Sequence, residues 1–239
     1  MCGRYVQVSS PALLAERFDV DEVVTEAHEP DYNVAPRALV YGVVEREAGS
    51  RVLESLRWGL VPSWADDLKL GDRMINARAE TLAEKPAYKR AFARRRCILP
   101  ADGFYEWKAL PKQGGAKASK QPMFIDRRDG EPLAFAGLWE TWRDPGEHDA
   151  PWIVSCVIVT TRANDLLAPI HDRMPVVLPE DAWSTWLDPG QHDFARLDPL
   201  LVPAPSEWFE AFPVSTRVNK ADNNGPELVA PVEPATLFQ

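Results

Sequence analysis

Residues 152–161 read WIVSCVIVTT, a run rich in β-branched side chains and polar only at Ser155 before its threonine end. Branched side chains lose rotamer freedom in a helix and pack well on a pleated surface, so this run is the strongest buried strand in the sequence. Shorter pieces repeat the theme. MCGRYVQV alternates enough to be a strand that carries the amino terminus into a sheet. ALVYGVVER and RVLESLRWG read as a hairpin across Glu47-Ala48-Gly49-Ser50, and CILPADGFYEWKAL as strand, turn, strand. MFIDRRDGEPLAFAGLWE reads as a further strand pair around Asp129-Gly130, and INARAE looks extended.

Helices are few and short. Ser10 caps and Pro11 opens one that runs through Phe18. LAEKPAYKRAFARR reads as a second and PEDAWSTWL as a short amphipathic third, while PKQGGAKASKQ resembles a flexible hairpin tip. The sequence shows no internal repeat, heptad pattern, or βαβ alternation with a glycine-rich phosphate loop. The expected fold is α+β: a single β-rich domain over residues 1–239, with a curled or barrel-like, mostly antiparallel sheet and a few short helices. Residues after about 231 read as a tail.

Apolar residues form 45% and charged residues 26% of the 239, the balance of a soluble globular chain. No apolar run approaches the roughly 20 residues a membrane helix needs, and no basic-then-apolar leader opens the chain. A cytoplasmic location is expected. Cys2, Cys97 and Cys156 are odd in number and lack ligand spacing, and the four histidines lie far apart. Neither a disulfide framework nor a metal or other cofactor is expected.

The net charge of −9 argues against a nucleic-acid partner for the molecule as a whole, but binding depends on the local field. KPAYKRAFARRR carries Lys85, Lys89, Arg90, Arg94, Arg95 and Arg96 without an acid, whereas acids gather in DVDEVVTEAHEPD and RDPGEHD. A solvated helix face is the plain alternative for such a run.

Four places hold polar residues where the local pattern favours apolar ones. Cys2 follows the initiator methionine; once Met1 is trimmed, an α-amine and a thiol sit on adjacent carbons. Asn76 shares a face with Arg78 and Glu80 if INARAE is extended. Glu106, among Phe104, Tyr105 and Trp107, should lose hydration and have its pKa raised, which suits proton transfer. His171, Asp172 and Arg173 interrupt an apolar strand approach. Each has a structural alternative: Cys2 as a small hydrophobe under a strand, Asn76 as a turn cap, Glu106 as an arginine's partner, His171 as a satisfied structural residue. Asp172 and Arg173 read as an ion pair.

MCGRY, YNVAP, WGLVPSWA, INARAET, CILPADGFYEW, AFAGLWE, IVTTRAN, IHDRMPVVL and VNKADNNGPEL, in that order from Met1 to about Pro231, resemble the SRAP family. Its members are the SOS response-associated peptidases, or abasic-site-processing proteins. The resemblance implies single-stranded DNA binding and a covalent crosslink to abasic sites through the processed amino-terminal cysteine, here Cys2. It implies catalytic roles for Asn76, Glu106 and His171, and DNA contacts through Arg4, Arg78, Arg96 and the aromatic Trp64. Some relatives carry a second aromatic after Trp64, where this chain has Ala65. The expected partner is single-stranded DNA containing abasic sites, with no membrane and no metal, and the expected state is a monomer.

In the implied chemistry the amine gives a Schiff base with the ring-opened sugar and the sulfur closes a thiazolidine. Peptidase activity on Met1 or on the adduct would account for the family's name. Two other readings stand beside it. An amino-terminal-nucleophile amidotransferase can also begin Met-Cys-Gly. A non-catalytic DNA-binding module would need no chemistry from Cys2.

Overall fold

The computed structural model describes residues 2–46, 49–111 and 119–233. The run at 152–161 becomes strand β11 (Ile153–Arg162), and the larger sheet is built around it. β11 lies antiparallel to β10 (Leu133–Trp142), with Trp139 opposite Cys156. From β10 the sheet continues to β7 (Arg96–Ala101), β4 (Leu39–Glu45) and β5 (Arg51–Trp58). β5 then returns to β11 in parallel, pairing Arg57 with Ser155 and Trp58 with Cys156, so the sheet curls shut like a barrel. Three short strands complete it: β2 (Glu22–Val23) on β5, and β6 (Asn76–Arg78) and β12 (Arg173–Pro175) on β11.

A second, 5-stranded sheet has the order β13 (Phe209–Pro213), β9 (Lys120–Arg127), β8 (Gly103–Ala109), β1 (Tyr5–Gln7) and β3 (Asp31–Val34). Period-two alternation explains how the layers stack. In the curled sheet Val44, Cys97, Leu99, Cys156 and Ile158 pack with Cys2, Tyr5, Phe104 and Phe209 of the second sheet's side. The alternating residues Val43, Ile98, Val157 and Val159 pack instead under the helices, against Phe18, Phe92 and Trp186. Both faces are thus covered, which is why these strands are almost continuously apolar. Ser155 is tolerated because its hydroxyl accepts from the Val61 amide at 2.9 Å.

The helices are short, as expected. In α1 (Pro11–Arg17) the Ser10 hydroxyl accepts from the Leu13 amide at 3.3 Å. α2 (Pro86–Arg94) starts later than its apolar pattern suggests, because Pro86 fits only the first turn, and it buries Tyr88, Ala91 and Phe92. α3 (Trp183–Leu187) follows a 3-10 turn at Glu180–Ala182, and α4 (Phe194–Leu197) stacks Phe194 on Phe92. No helix of the described residues is long and apolar enough to cross a membrane.

One expected pairing is corrected: β9 and β10 flank a turn yet join different sheets. The strand, turn, strand read in CILPADGFYEWKAL forms as β7 and β8, which also lie in different sheets. The Asp129-Gly130 turn exists, with Gly130 at φ +76°, but β9 is already flanked by β8 and β13 while β10 lies between β7 and β11. Asp102 marks the first crossing: its carboxylate accepts from the Val8 and Ser9 amides at 2.6 and 3.0 Å. Buried Gln7 stitches the sheets together, donating to the Pro100 carbonyl and accepting from the Tyr41 amide, each at 2.8 Å. The β4–β5 hairpin forms with Glu45 opposite Arg51. Ala109 opposite Lys120 brackets the expected flexible tip, of which residues 112–118 lie outside the described residues, as do residues 234–239 of the expected tail.

Candidate active site

Register places Cys2 beside Glu106. Tyr5 pairs with Phe104, and the Tyr105 amide donates to the Arg4 carbonyl at 3.0 Å, so the segment ahead of β1 continues along β8 toward Glu106. Along β8 the side chains alternate. Phe104 joins the cluster that holds Cys2, whereas Tyr105 and Trp107 pack in a separate cluster on the other face. The aromatic residues adjacent in sequence therefore do not surround the Glu106 carboxylate; its desolvation comes from burial on the face it shares with Phe104.

That burial, with Glu106 only 3% exposed, raises its pKa above the ordinary glutamate value, opposed in part by the charge of nearby His171. Cys2 is wholly buried and its thiol faces the Arg4 carbonyl oxygen at 3.8 Å. Burial first, and the Glu106 charge second, push that thiol well above its usual range, so the sulfur rests protonated.

β11 supplies the other two residues through the short strands on its edge. Asn76 opens β6 opposite Ile158, and its Nδ2 donates to the Cys2 carbonyl oxygen at 2.7 Å. Its Oδ1 is buried without a hydrogen-bond partner among the described residues. His171 lies just ahead of β12, its amide held by the Leu167 carbonyl at 2.9 Å. Its Nδ1 is 3.0 Å from both the Arg173 amide and an Asp172 carboxylate oxygen. A neutral ring accepts from that amide and carries its proton on Nε2; a charged ring donates to Asp172. Cys2, Asn76, Glu106 and His171, far apart in sequence, thus converge on the amino-terminal end of the chain.

Two local expectations change. β6 ends at Arg78, so Asn76 and Arg78 share a face but Glu80 does not; it sits in a 3-10 turn at Ala79–Thr81. Arg173 forks onto Glu80 at 2.6 and 3.0 Å instead of pairing with Asp172. Asp172 is left to orient His171.

The cationic residues divide sharply. Arg78 is exposed and Trp64 is 61% exposed. Arg4 is half-buried, donating to Asn33 Oδ1 at 2.9 Å and to the Val218 carbonyl at 3.3 Å. Arg96 points inward, 1% exposed, with its guanidinium donating to the carbonyls of Trp186 and Phe92 (both 2.6 Å), Asp188, and Gln191 (3.2 Å). It ties β7 to α3 and the loop beyond it, and presents nothing to a ligand. Ala65 also faces inward, against Val61 and Trp142, and its carbonyl accepts from the Trp142 indole at 2.7 Å.

Asn33 was not singled out as a site residue, although it lies in YNVAP. Its amide donates to the carbonyls of Val218, Lys220 and Asn223, all in the distant VNKADNN stretch, while its oxygen holds Arg4. Tyr88 was missed as well; its hydroxyl donates to the Asn76 carbonyl at 3.4 Å. In each case an apolar or strand-like local pattern conceals the polar end. Among the described residues no group of histidine, cysteine and carboxylate side chains is arranged to hold a metal ion.

The family profile of the SOS response associated peptidase (SRAP) matches residues 1–221. The chain belongs to this family. Its relatives include the abasic site processing protein YoqW of Bacillus subtilis, 42% identical over 230 residues that cover 96% of this chain and 99% of that protein. Another is the abasic site processing protein YedK of Escherichia coli, 36% identical, covering 97% of this SRAP chain and all of YedK. A crystal structure of a protein from Bacteroides thetaiotaomicron superposes with a TM-score of 0.81 at 24% identity, covering 97% of this chain and 100% of that one. This last similarity shows that the SRAP fold is shared.

Proposed function

We propose that the chain binds single-stranded DNA at an abasic site and captures the ring-opened deoxyribose through Cys2 after Met1 is removed, as a thiazolidine. The observation that carries this reading is the meeting of the Cys2 thiol, the Glu106 carboxyl, His171 and the Asn76 amide around the chain's amino-terminal end. The relatives' shared name, abasic site processing protein, supports the substrate.

The freed α-amine adds to the sugar aldehyde, giving a carbinolamine. Glu106, whose pKa burial raises, donates a proton to the carbinolamine hydroxyl, which leaves as water and gives an iminium. The resulting carboxylate takes the thiol proton as the sulfur attacks the same carbon. A carbon–sulfur bond forms, the C=N pair returns to nitrogen, Glu106 regains its proton, and one water is the sole by-product. An amine alone would stop at a hydrolysable imine. His171 assists opening of the furanose by exchanging a proton with its ring oxygen. Asn76 positions Cys2 by holding its carbonyl, and its free Oδ1 is a buried acceptor suited to a sugar hydroxyl.

Arg4 and Arg78 pair with phosphates and Trp64 stacks on a base or sugar. The reading includes self-removal of Met1 or release of the adduct as the peptidase activity, action as a monomer, and a cytoplasmic, nucleoid-associated location. The test combines intact mass with a denaturing gel. Wild-type protein should lack Met1 and shift with a single-stranded abasic oligonucleotide, whereas Cys2→Ala should give no stable shifted band. Retention of Met1 after exposure to the lesion, or ammonia release from glutamine without crosslinking, overturns the proposal.

A further inference from the structure

Asn33 sits inside a β-bulge. Tyr5 pairs with Val34 and Gln7 with Asp31, so β3 holds one residue more than β1 between these two pairs. A bulge re-aims side chains out of the regular alternation. Here the Asn33 side chain, only 2% exposed, reaches Arg4.

The amide fits its surroundings in one orientation only. Its Oδ1 accepts at 2.9 Å from the Arg4 guanidinium, a group that can only donate. Its Nδ2 donates to the carbonyls of Lys220 and Asn223, both at 2.9 Å, and of Val218 at 3.3 Å. The Val218 carbonyl also accepts from Arg4 Nη1 at 3.3 Å, which closes a triangle of Asn33, Arg4 and the 218–223 stretch. An aspartate in this place would keep the shape but face three carbonyls without a donor.

Arg4 keeps its charge and its fork. Both of its bonds leave from Nη1 and end on neutral oxygens. Among the described residues Nε and Nη2 have no protein partner, and neither is shut away from solvent. These two nitrogens form the parallel edge that grips two oxygens of a phosphate.

We infer that Asn33 is a positioning residue for DNA: through the triangle it turns the free edge of Arg4, two residues from Cys2, toward a phosphate of the captured strand. The inference rests on the DNA binding proposed above. It gives the VNKADNN stretch a task, as the buttress that holds Asn33.

The test is a double-mutant cycle on equilibrium binding of an undamaged single strand of about 10 nucleotides, followed against salt with melting temperatures beside it. Arg4→Ala should weaken binding and lower the slope of log affinity against log salt by about one. Asn33→Ala should weaken binding at least about threefold, yet less than about twofold once Arg4 is already alanine, because the two act as one contact. Arg4→Lys leaves Asn33 in place and keeps the charge without the fork. It should lose about as much affinity as Asn33→Ala while holding the wild-type slope, and it decides the matter if Asn33→Ala does not fold. Wild-type affinity in Asn33→Ala or in Arg4→Lys, or an Asn33→Ala loss that persists beside Arg4→Ala, overturns the inference alone. If Arg4→Ala binds like wild type, the phosphate role of Arg4 fails and that of Asn33 with it. If the cycle couples but wild type captures no abasic strand, the chemistry proposed for Cys2 fails while the inference stands.

Discussion

Arg96 offers the sharpest test of the structure, because family resemblance assigns it to DNA while its burial assigns it to the core. In Arg96→Ala the carbonyls of Trp186, Phe92, Asp188 and Gln191 lose their donors together. At about 1 kcal/mol net for each bond, the loss comes to about 4 kcal/mol before any cavity is counted. For a chain of this size that corresponds to a fall in melting temperature of about 10 °C. Arg96→Lys keeps the charge but offers one nitrogen where the fork reached four acceptors, so it should recover only part of the loss. The assay is thermal and urea unfolding, run beside oligonucleotide binding as a function of salt. Arg78→Ala is the control: exposed, it should melt like wild type and lower the salt slope by about one. Should Arg96→Ala melt like wild type and flatten the salt slope instead, the inward guanidinium is wrong.

Three further outcomes follow from particular groups. The crosslinking rate should fall at high pH along a limb lying above the ordinary glutamate range, because burial raises the Glu106 pKa and the proton-donating form persists; Glu106→Gln should slow capture and abolish that limb in a stopped-time gel series. Asp126 faces Glu210 across β9 and β13, and burial together with that charge pushes its carboxyl up to about 6. A raised folded-state pKa means stability is full below the unfolded value of about 3.8 and is lost as pH rises through about 6. Asp126→Asn should therefore melt higher than wild type at pH 7 and show a flatter melting profile between those values; parallel profiles would refute the pairing. Gly59 has φ +122°, and an added Cβ would lie 2.6 Å from the Gly71 carbonyl oxygen, so Gly59→Ala should cost at least about 2 kcal/mol in urea unfolding.

The elements legible from sequence were those governed by local rules. Branched side chains marked β11, Ser10-Pro11 marked the start of α1, and period-two runs marked β4 and β5, because rotamer entropy, capping and turn chemistry act within a few residues. Cys2, Asn76, Glu106 and His171 each stood out in the sequence as a polar residue breaking an apolar pattern. Their meeting was not, since it depends on β1 lying along β8 while β6 and β12 settle on β11. A pairing partner was misjudged where the turn at Gly130 connects strands of different sheets.

The direction of a cation was also invisible. Arg78 in INARAE and Arg96 ahead of CILPADG both open or lie in strand-like stretches, yet one ends on an exposed edge and the other beneath α3. Local sequence sets what backbone each segment favours and which faces must leave water. Only packing decides which neighbour covers each face, and so whether a guanidinium meets solvent or a ring of carbonyls.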